Sequence, residues 1–321
     1  MQLDTPGFFL TAGWAAFKQS GGWAAQRFVA FSDEKAVAVT QLLSKSQLGI
    51  GIVWAPGGIG VIASASDFVK TSQIFETAYI YFSRLFKMSL IRFNIHQLAT
   101  MESLIRSDKF IRPLTKITSH KTLMIDCKSF SPDLFSQHAK RKAKFSLRFT
   151  FDWSYEVDFR NLYSLSHLIN ETAKRNRVSL PFRDHRELQR LIFCLNSSQF
   201  ILLVGRHLSE EVAGCLTLIH GNSAFFYAAG SSELGRKTAA NYALITELIS
   251  TLKSRGIEKF DFGGLDDSEK LRGINRFKMG FGGVVHCKVG EKEFSRVFII
   301  RLLGNFLIML RIVRSHLQRV W

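Results

Sequence analysis

The residues best suited to chemistry fall late in the chain, in "GINRFKMGFGG" (residues 273–283). Phe277 and Lys278 stand there between Gly273 on one side and Gly280, Gly282 and Gly283 on the other, with Phe281 inside the glycine run. Glycine lets a backbone approach a ligand closely, and a lysine set among glycines supplies a mobile positive charge. Such a cation can hold a phosphate or carboxylate, or stabilise an oxygen that turns negative during acyl transfer. The same spacing fits a β-bulge and turn with an ordinary surface lysine, and the residues alone leave both readings open. Just upstream, "FDFGG" puts Asp261, read as structural, in a short strand, and Gly263-Gly264 where the chain leaves a sheet edge. No Ser-His-Asp or Cys-His arrangement is legible. His220 and His286 lie near strand ends, where a general base could sit but a lone histidine is more often a surface or satisfied residue. Cys127, Cys194, Cys215 and Cys287 are scattered without a C-x-x-C pair, which offers neither a zinc site nor a disulfide framework, so no metal is expected.

Hydrophobic periodicity supplies the elements that must position these residues. In the first half it predicts a short helix at 14–18, strands at 26–31, 36–43 and 49–54, a helix at 67–86 and a strand at 89–95. In the second half, helices at 161–175 and 185–195 precede strands at 200–206, 212–220 and 224–229, with "GN" as a tight hairpin turn. A helix at 237–254, stopped by Gly256, and a strand at 258–262 follow. Helix, antiparallel strands, helix, strand thus occur twice. The expected fold is α/β (α+β), two tandem domains each with a mostly antiparallel sheet flanked by helices, over residues 1–145 and 146–295, followed by a basic amphipathic helix at 296–321. Near the boundary, Lys140, Arg141, Lys142, Lys144 and Arg148 occur without an acid. They read either as a solvated helix face or linker, or as a polyanion-binding strip.

Composition narrows the classes. The chain has 321 residues, 46% hydrophobic and 21% charged, as in globular proteins and unlike disordered or coiled-coil ones. Its 43 basic against 26 acidic residues give a net charge of +17, a field that favours RNA, DNA, nucleotide diphosphates or an anionic membrane face. Residues 48–66 carry no charge, but five glycines and Pro56 make them strand, turn and extended segment rather than a membrane span. In the tail, Arg301 and Arg311 bracket nine uncharged residues, too few to cross a bilayer, and no acid follows Glu293. That tail reads as an amphipathic helix packed on the protein, lying on an anionic lipid surface, or both. The start, "MQLDTPGFFL", lacks the basic region and apolar core of a signal peptide. A cytoplasmic protein is expected, with peripheral contact at the inner face of the membrane as one option for the tail.

The block "FDFGG…GINRFKMGFGG", preceded by "YAAGSS" and "TAANYALITELISTLKSRGIEKF", resembles the C-terminal half of the FemABX aminoacyltransferases, which are built from two acetyltransferase-like (GNAT-like) domains. "GWAAFKQSGGW" is similar to that family's N-terminal W-x-x-x-K…GW motif, "IVWAPGGIGV" to a strand segment, "KTLMIDC" to its T-x-x-x-D strand and "INETAKRNRV" to its E-T-x-x-R helix. The order of the motifs carries the resemblance as much as any one of them. It implies transfer of an amino acid from aminoacyl-tRNA, as co-substrate and without a cofactor, to an amine of a peptidoglycan precursor. It also implies that Lys278 contacts the tRNA end or the oxyanion, that Phe277 lines the reaction channel with Gly280, Phe281 and Gly282, and that Tyr227 faces it. Trp14, Lys18 and Arg175 look similar to positions that hold diphosphate or carboxylate groups of the precursor. The residues keep their plainer readings: Lys18 a solvated helix residue, Arg175 a group at helix carbonyls, Tyr227 a core aromatic.

Departures from the family pattern also inform. "FNIHQL" lacks the D-P that follows an early strand in the family, and the space between Arg175 and Phe200 leaves no room for the coiled-coil arm of glycyl-transferring members, so the compact type is expected. A second reading is an acyl-CoA-dependent N-acyltransferase acting on an envelope or polysaccharide amine. Acetyltransferases hold the cofactor pyrophosphate on a Q/R-x-x-G-x-G/A turn, and "SSELGRKTAANYAL" matches it only with R-x-x-A-x-N. A third is a non-catalytic RNA- or membrane-binding protein of the same fold.

Overall fold

The chain lays down one succession of elements twice. The computed structural model describes residues 5–32, 34–61, 68–98, 110–176, 178, 181–182, 184–265 and 271–317. From the N-terminus, α1 (Ala12–Ser20) leads into β1 (Ala24–Ser32), β2 (Lys35–Gln47), β3 (Ile50–Ala55) and β4 (Ile59–Val61), then α2 (Phe68–Leu85) and β5 (Ser89–Leu98). Next come β6 (Lys121–Asp126), α3 (Gln137–Ser146), β7 (Asp152–Ser154), α4 (Phe159–Asn176) and α5 (His185–Phe193). β8 (Phe200–His207), β9 (Glu210–His220), β10 (Ser223–Ser231), α6 (Glu233–Lys237) and α7 (Ala240–Ser254) follow, then β11 (Lys259–Leu265), α8 (Arg272–Met279), β12 (Val284–Phe294) and α9 (Phe298–Leu317).

One unit comprises residues 1–120 and 287–321. Its β1, β2 and β3 form an antiparallel meander. Leu48 and Gly49 between β2 and β3 both take positive φ, 52° and 75°, as a two-residue hairpin turn requires. α2 carries the chain to β5, which runs parallel to β3, and β12 lies antiparallel to β5. Leu42, Val53, Phe75, Phe82, Phe93 and Phe294 form the core of this unit. α9 packs on β5 and β3. The uncharged stretch at 48–66 is strand and turn over its described part, its last residues lying outside the described ones, and no helix among the described residues is long and apolar enough to cross a membrane.

The other unit comprises residues 121–286. β8, β9 and β10 are antiparallel, α6 and α7 cross over to β11, which runs parallel to β10, and β6 and β7 pair antiparallel to β11 and β8. β8 and β9 are buried along nearly their whole length because helices cover both faces of the sheet. Gly214 of β9 lies against Leu165 and Leu168 of α4, while its neighbour Cys215 belongs to the cluster formed by Leu244, Leu248 and Leu252 of α7. The expected fold class is the observed one: helices flank mostly antiparallel strands, with the single parallel crossover at the same place in both repeats.

The observed division of the chain differs from the expected 145/146 and 295/296. β6 already pairs with β11, and α3 packs on α7, so the chain enters the second unit at residue 121. The basic run that suggested a linker is helix α3. The expected helix at 237–254 is broken at Ala239, whose φ of 57° is left-handed, into α6 and α7. Residue 67, the expected first residue of α2, lies outside the described residues.

Candidate functional site

The parallel pairing of β10 with β11 ends early. Ser223, Ala224 and Phe225 face Lys259, Phe260 and Asp261, yet β10 continues to Ser231 and β11 to Leu265, so the strands separate beyond that level. Tyr227 is an extra residue in β10 there, lying between the pairs Phe226↔Thr217 and Ala228↔Leu216. β11 is irregular opposite β6 between Asp261 and Gly264, where Gly263 takes a φ of 85° that a side chain would resist.

Lys278 directs its ammonium into this notch. Its Nζ donates to the Gly264 carbonyl at 2.9 Å, and a Cβ on Gly263 would stand 3.4 Å from that nitrogen and 3.6 Å from the Phe226 carbonyl oxygen. Burial lowers the Lys278 pKa to about 8, and the charge of Asp261 acts the other way. Asp261 is buried and accepts hydrogen bonds from the Gly263 amide at 2.8 Å and from Thr122 Oγ1. One carboxylate therefore shapes the irregular strand and supports the ammonium across it, a role the sequence reading left as merely structural.

The segment carrying Lys278 is a helix rather than a glycine-bordered bulge. α8 ends at Gly280, whose amide donates to the Arg276 and Phe277 carbonyls. Phe277 packs against Tyr242, Phe262 and Phe281 with centroids 5.1–6.0 Å apart. Phe281 is fully buried. The glycines answer to packing: a Cβ at Gly280 would lie 3.1 Å from Ala139 Cβ, one at Gly282 3.0 Å from the Leu134 carbonyl, and one at Gly283 2.7 Å from the Met124 carbonyl. Phe277, Gly280, Phe281 and Gly282 thus seat α8, which carries Lys278.

At the far end of β10, Arg175 bonds the strand instead of helix carbonyls. Its Nη1 donates to the Ser231 carbonyl at 3.2 Å, and its Nη2 to Thr172 Oγ1 at 3.1 Å. Asn241 Nδ2 reaches Ser231 Oγ at 3.1 Å. Burial, and then the neighbouring Arg236 charge, lower the Arg175 pKa, while the charge of Glu171 acts the other way. Arg236 comes within electrostatic reach of Arg175 only in the fold, 61 residues on in the chain. In the turn before α7, the amides of Thr238, Ala239 and Tyr242 donate to the carbonyls of Leu234, Arg236 and Ala239. Tyr227 lies against Phe182 and Phe225, and burial raises its pKa.

Trp14 and Lys18 belong to the first unit. Trp14 is buried against Phe8, Phe9 and Phe17, and the Lys18 ammonium lies 4.5 Å from the centre of its ring. In place of the missing D-P, His96 of β5 bonds the Pro56 carbonyl at 2.8 Å. On α3, Arg141 and Lys144 are exposed while Lys140 and Lys142 are half-buried, and Arg148, in the turn after the helix, is exposed. Lys140 and Lys144 border a cavity of about 590 Å³ together with Phe149, Phe151, Trp153 and Glu247. His220 is half-buried at the end of β9, and burial lowers its pKa. Among the described residues no group of three or more His, Cys, Asp or Glu side chains could hold a metal ion.

Residues 199–296, from β8 through β12, match the FemAB family model, the family whose motifs the sequence resembles. No curated protein matches the sequence. The fold is that of a solved structure, FemX, with a TM-score of 0.77 at 16% identity over 92% of this chain and 94% of that one. L-PGS from Bacillus licheniformis is similar with a TM-score of 0.55 at 14% identity, covering 98% of each chain. A conserved protein of unknown function from Bacteroides thetaiotaomicron is similar with a TM-score of 0.55 at 11% identity over 89% of each.

Proposed function

We propose, from the FemAB family match of residues 199–296, that the chain is an aminoacyltransferase moving an amino acid from aminoacyl-tRNA to an amine of a peptidoglycan precursor or related cell-envelope molecule. The observation that carries the proposal is the Lys278 ammonium, aimed by Gly264 into the notch between β10 and β11. An aminoacyl ester is already activated, so the protein has mainly to hold a neutral amine against its carbonyl carbon. The amine attacks that carbon and the carbonyl oxygen becomes negative. The carbon–oxygen ester bond then breaks, the departing ribose oxygen takes the proton released by the nitrogen, and an amide and a free tRNA hydroxyl result. A desolvated ammonium beside the developing oxyanion stabilises it more than a hydrated one could. Lys278 is charged below about pH 8 and has three donors, one of them spent on Gly264.

In this reading Arg175 with Arg236 holds an anionic group of a substrate, Lys18 does so in the other unit, and the basic face of α3 takes tRNA phosphates. The R-x-x-A-x-N register at 236–241, which departs from the pyrophosphate-binding turn of acetyltransferases, supports tRNA over coenzyme A as the donor. The test is incubation of the protein with charged tRNA pools and candidate amine acceptors, followed by mass measurement of the product. A mass increase of one aminoacyl residue is expected. Transfer from acyl-coenzyme A instead, or stabilisation of the fold by coenzyme A alone, would move the protein to the second reading.

A further inference from the structure

α9 carries apolar residues on both its inner and its outer side. Asn305 is buried, accepts from Arg92 Nη2 at 2.8 Å and donates to Glu293 Oε1 at 2.8 Å. Arg301 Nε donates to the same carboxylate at 2.9 Å, and Arg92 Nη2 donates to its other oxygen at 2.7 Å. Arg92 and Glu293 are themselves fully buried, so this cluster pins the rotation of α9 about its axis. On the inner side Gly304 allows close approach: a Cβ there would lie 2.8 Å from Leu90 Cβ. The outer side carries Phe298, Ile299, Leu302, Phe306, Met309 and Val313, each between 40 and 67% exposed. At 3.6 residues per turn these six side chains fall within an arc of about 100°. A helix facing water normally turns its charged residues outward; here Ile300, Leu307 and Ile308 are buried on the inner side beside Asn305, and the outer side is apolar as well.

We infer that α9 lies along the surface of an anionic lipid membrane with this arc in the boundary between headgroups and acyl chains. Charge selects that occupant. No Asp or Glu follows Glu293, whereas Arg296, Arg301, Arg311, Arg314 and Arg319 do, and Arg296 and Arg311 are exposed. Arg301 is spent on Glu293, so the exposed Arg296 and Arg311 supply the charge that anionic headgroups would meet and that two copies meeting through α9 would have to bring together. The helix is not long and apolar enough to cross a bilayer, so it lies on one. Membrane contact of this kind is independent of the chemistry assigned to Lys278.

Co-sedimentation of the full chain with vesicles tests the inference. Vesicles of phosphatidylglycerol and phosphatidylcholine in equal parts are expected to carry the protein into the pellet, and phosphatidylcholine alone to bind it about tenfold less. A Phe298→Ser/Phe306→Ser variant, altered only at exposed positions, should keep its melting temperature and bind the anionic vesicles more than about tenfold less well. A Phe306→Trp variant should add blue-shifted emission when those vesicles are supplied. Absence of binding by the parent chain, or equal binding by the double variant, overturns the inference. So does a concentration-dependent dimer that the double variant dissolves without any lipid binding, which would give the face to a second copy.

Discussion

Holding Lys278 partly out of water has consequences that titration can read. Its pKa falls from the ordinary 10.5 to about 8, so between those values the unfolded chain binds the proton that the folded chain has released. Stability from this group therefore rises with pH from about 8 to 10.5, and below about 8 the folded protein carries the full cost of the buried charge. Lys278→Met is accordingly expected to raise the melting temperature at pH 7 while abolishing turnover, a combination that calorimetry and a transfer assay check together. Turnover by the parent chain should fall as pH climbs through about 8, where the ammonium loses its proton. Because Asp261 raises the Lys278 pKa, Asp261→Asn should move that alkaline limb to lower pH; an unmoved limb would uncouple the two residues. From sequence, a lysine among glycines was legible as a candidate cation. Its partner was not, since the Asp261 carboxylate meets the Gly263 amide only because β11 is irregular there.

The elements around the notch were legible to unequal degrees, for physical reasons. α7 and the strands β8, β9 and β10 follow strong periodic patterns, long enough for burial to dominate. The break at Ala239 left no trace, because alanine ordinarily continues a helix and its left-handed φ comes from the tertiary fold. α8 was hidden by Gly273 inside its eight residues and by the glycines after it, which look like a loop until the close approaches to Ala139, Leu134 and Met124 are seen. Those approaches make a prediction about an element rather than a side chain. Gly283 has a φ of 109°, and a Cβ there would stand 2.7 Å from the Met124 carbonyl, so Gly283→Ala should cost about 1–3 kcal/mol in urea unfolding. The same variant should slow transfer by shifting the seat of α8 and with it Lys278, although it removes no charged group.

Across the whole chain, the repeated order of elements was readable because each repeat is local in sequence. The division was not: the strands β6 and β12 declare their partners only through long-range pairing with β11 and β5, which no local pattern records. The net charge of +17 belongs to this scale as well. If the α3 face takes tRNA phosphates, affinity for RNA should fall steeply with added salt as counterions are released, and Lys140→Gln/Lys144→Gln should flatten that slope by about two charges. An unchanged slope would remove α3 from the contact. The central claim is tested most directly by single-turnover transfer from purified aminoacyl-tRNA at saturating acceptor, comparing the parent chain with Lys278→Ala. The account predicts that the rate of amide formation drops by about a hundredfold or more while acceptor binding is little changed. Equal rates in the two proteins would contradict it.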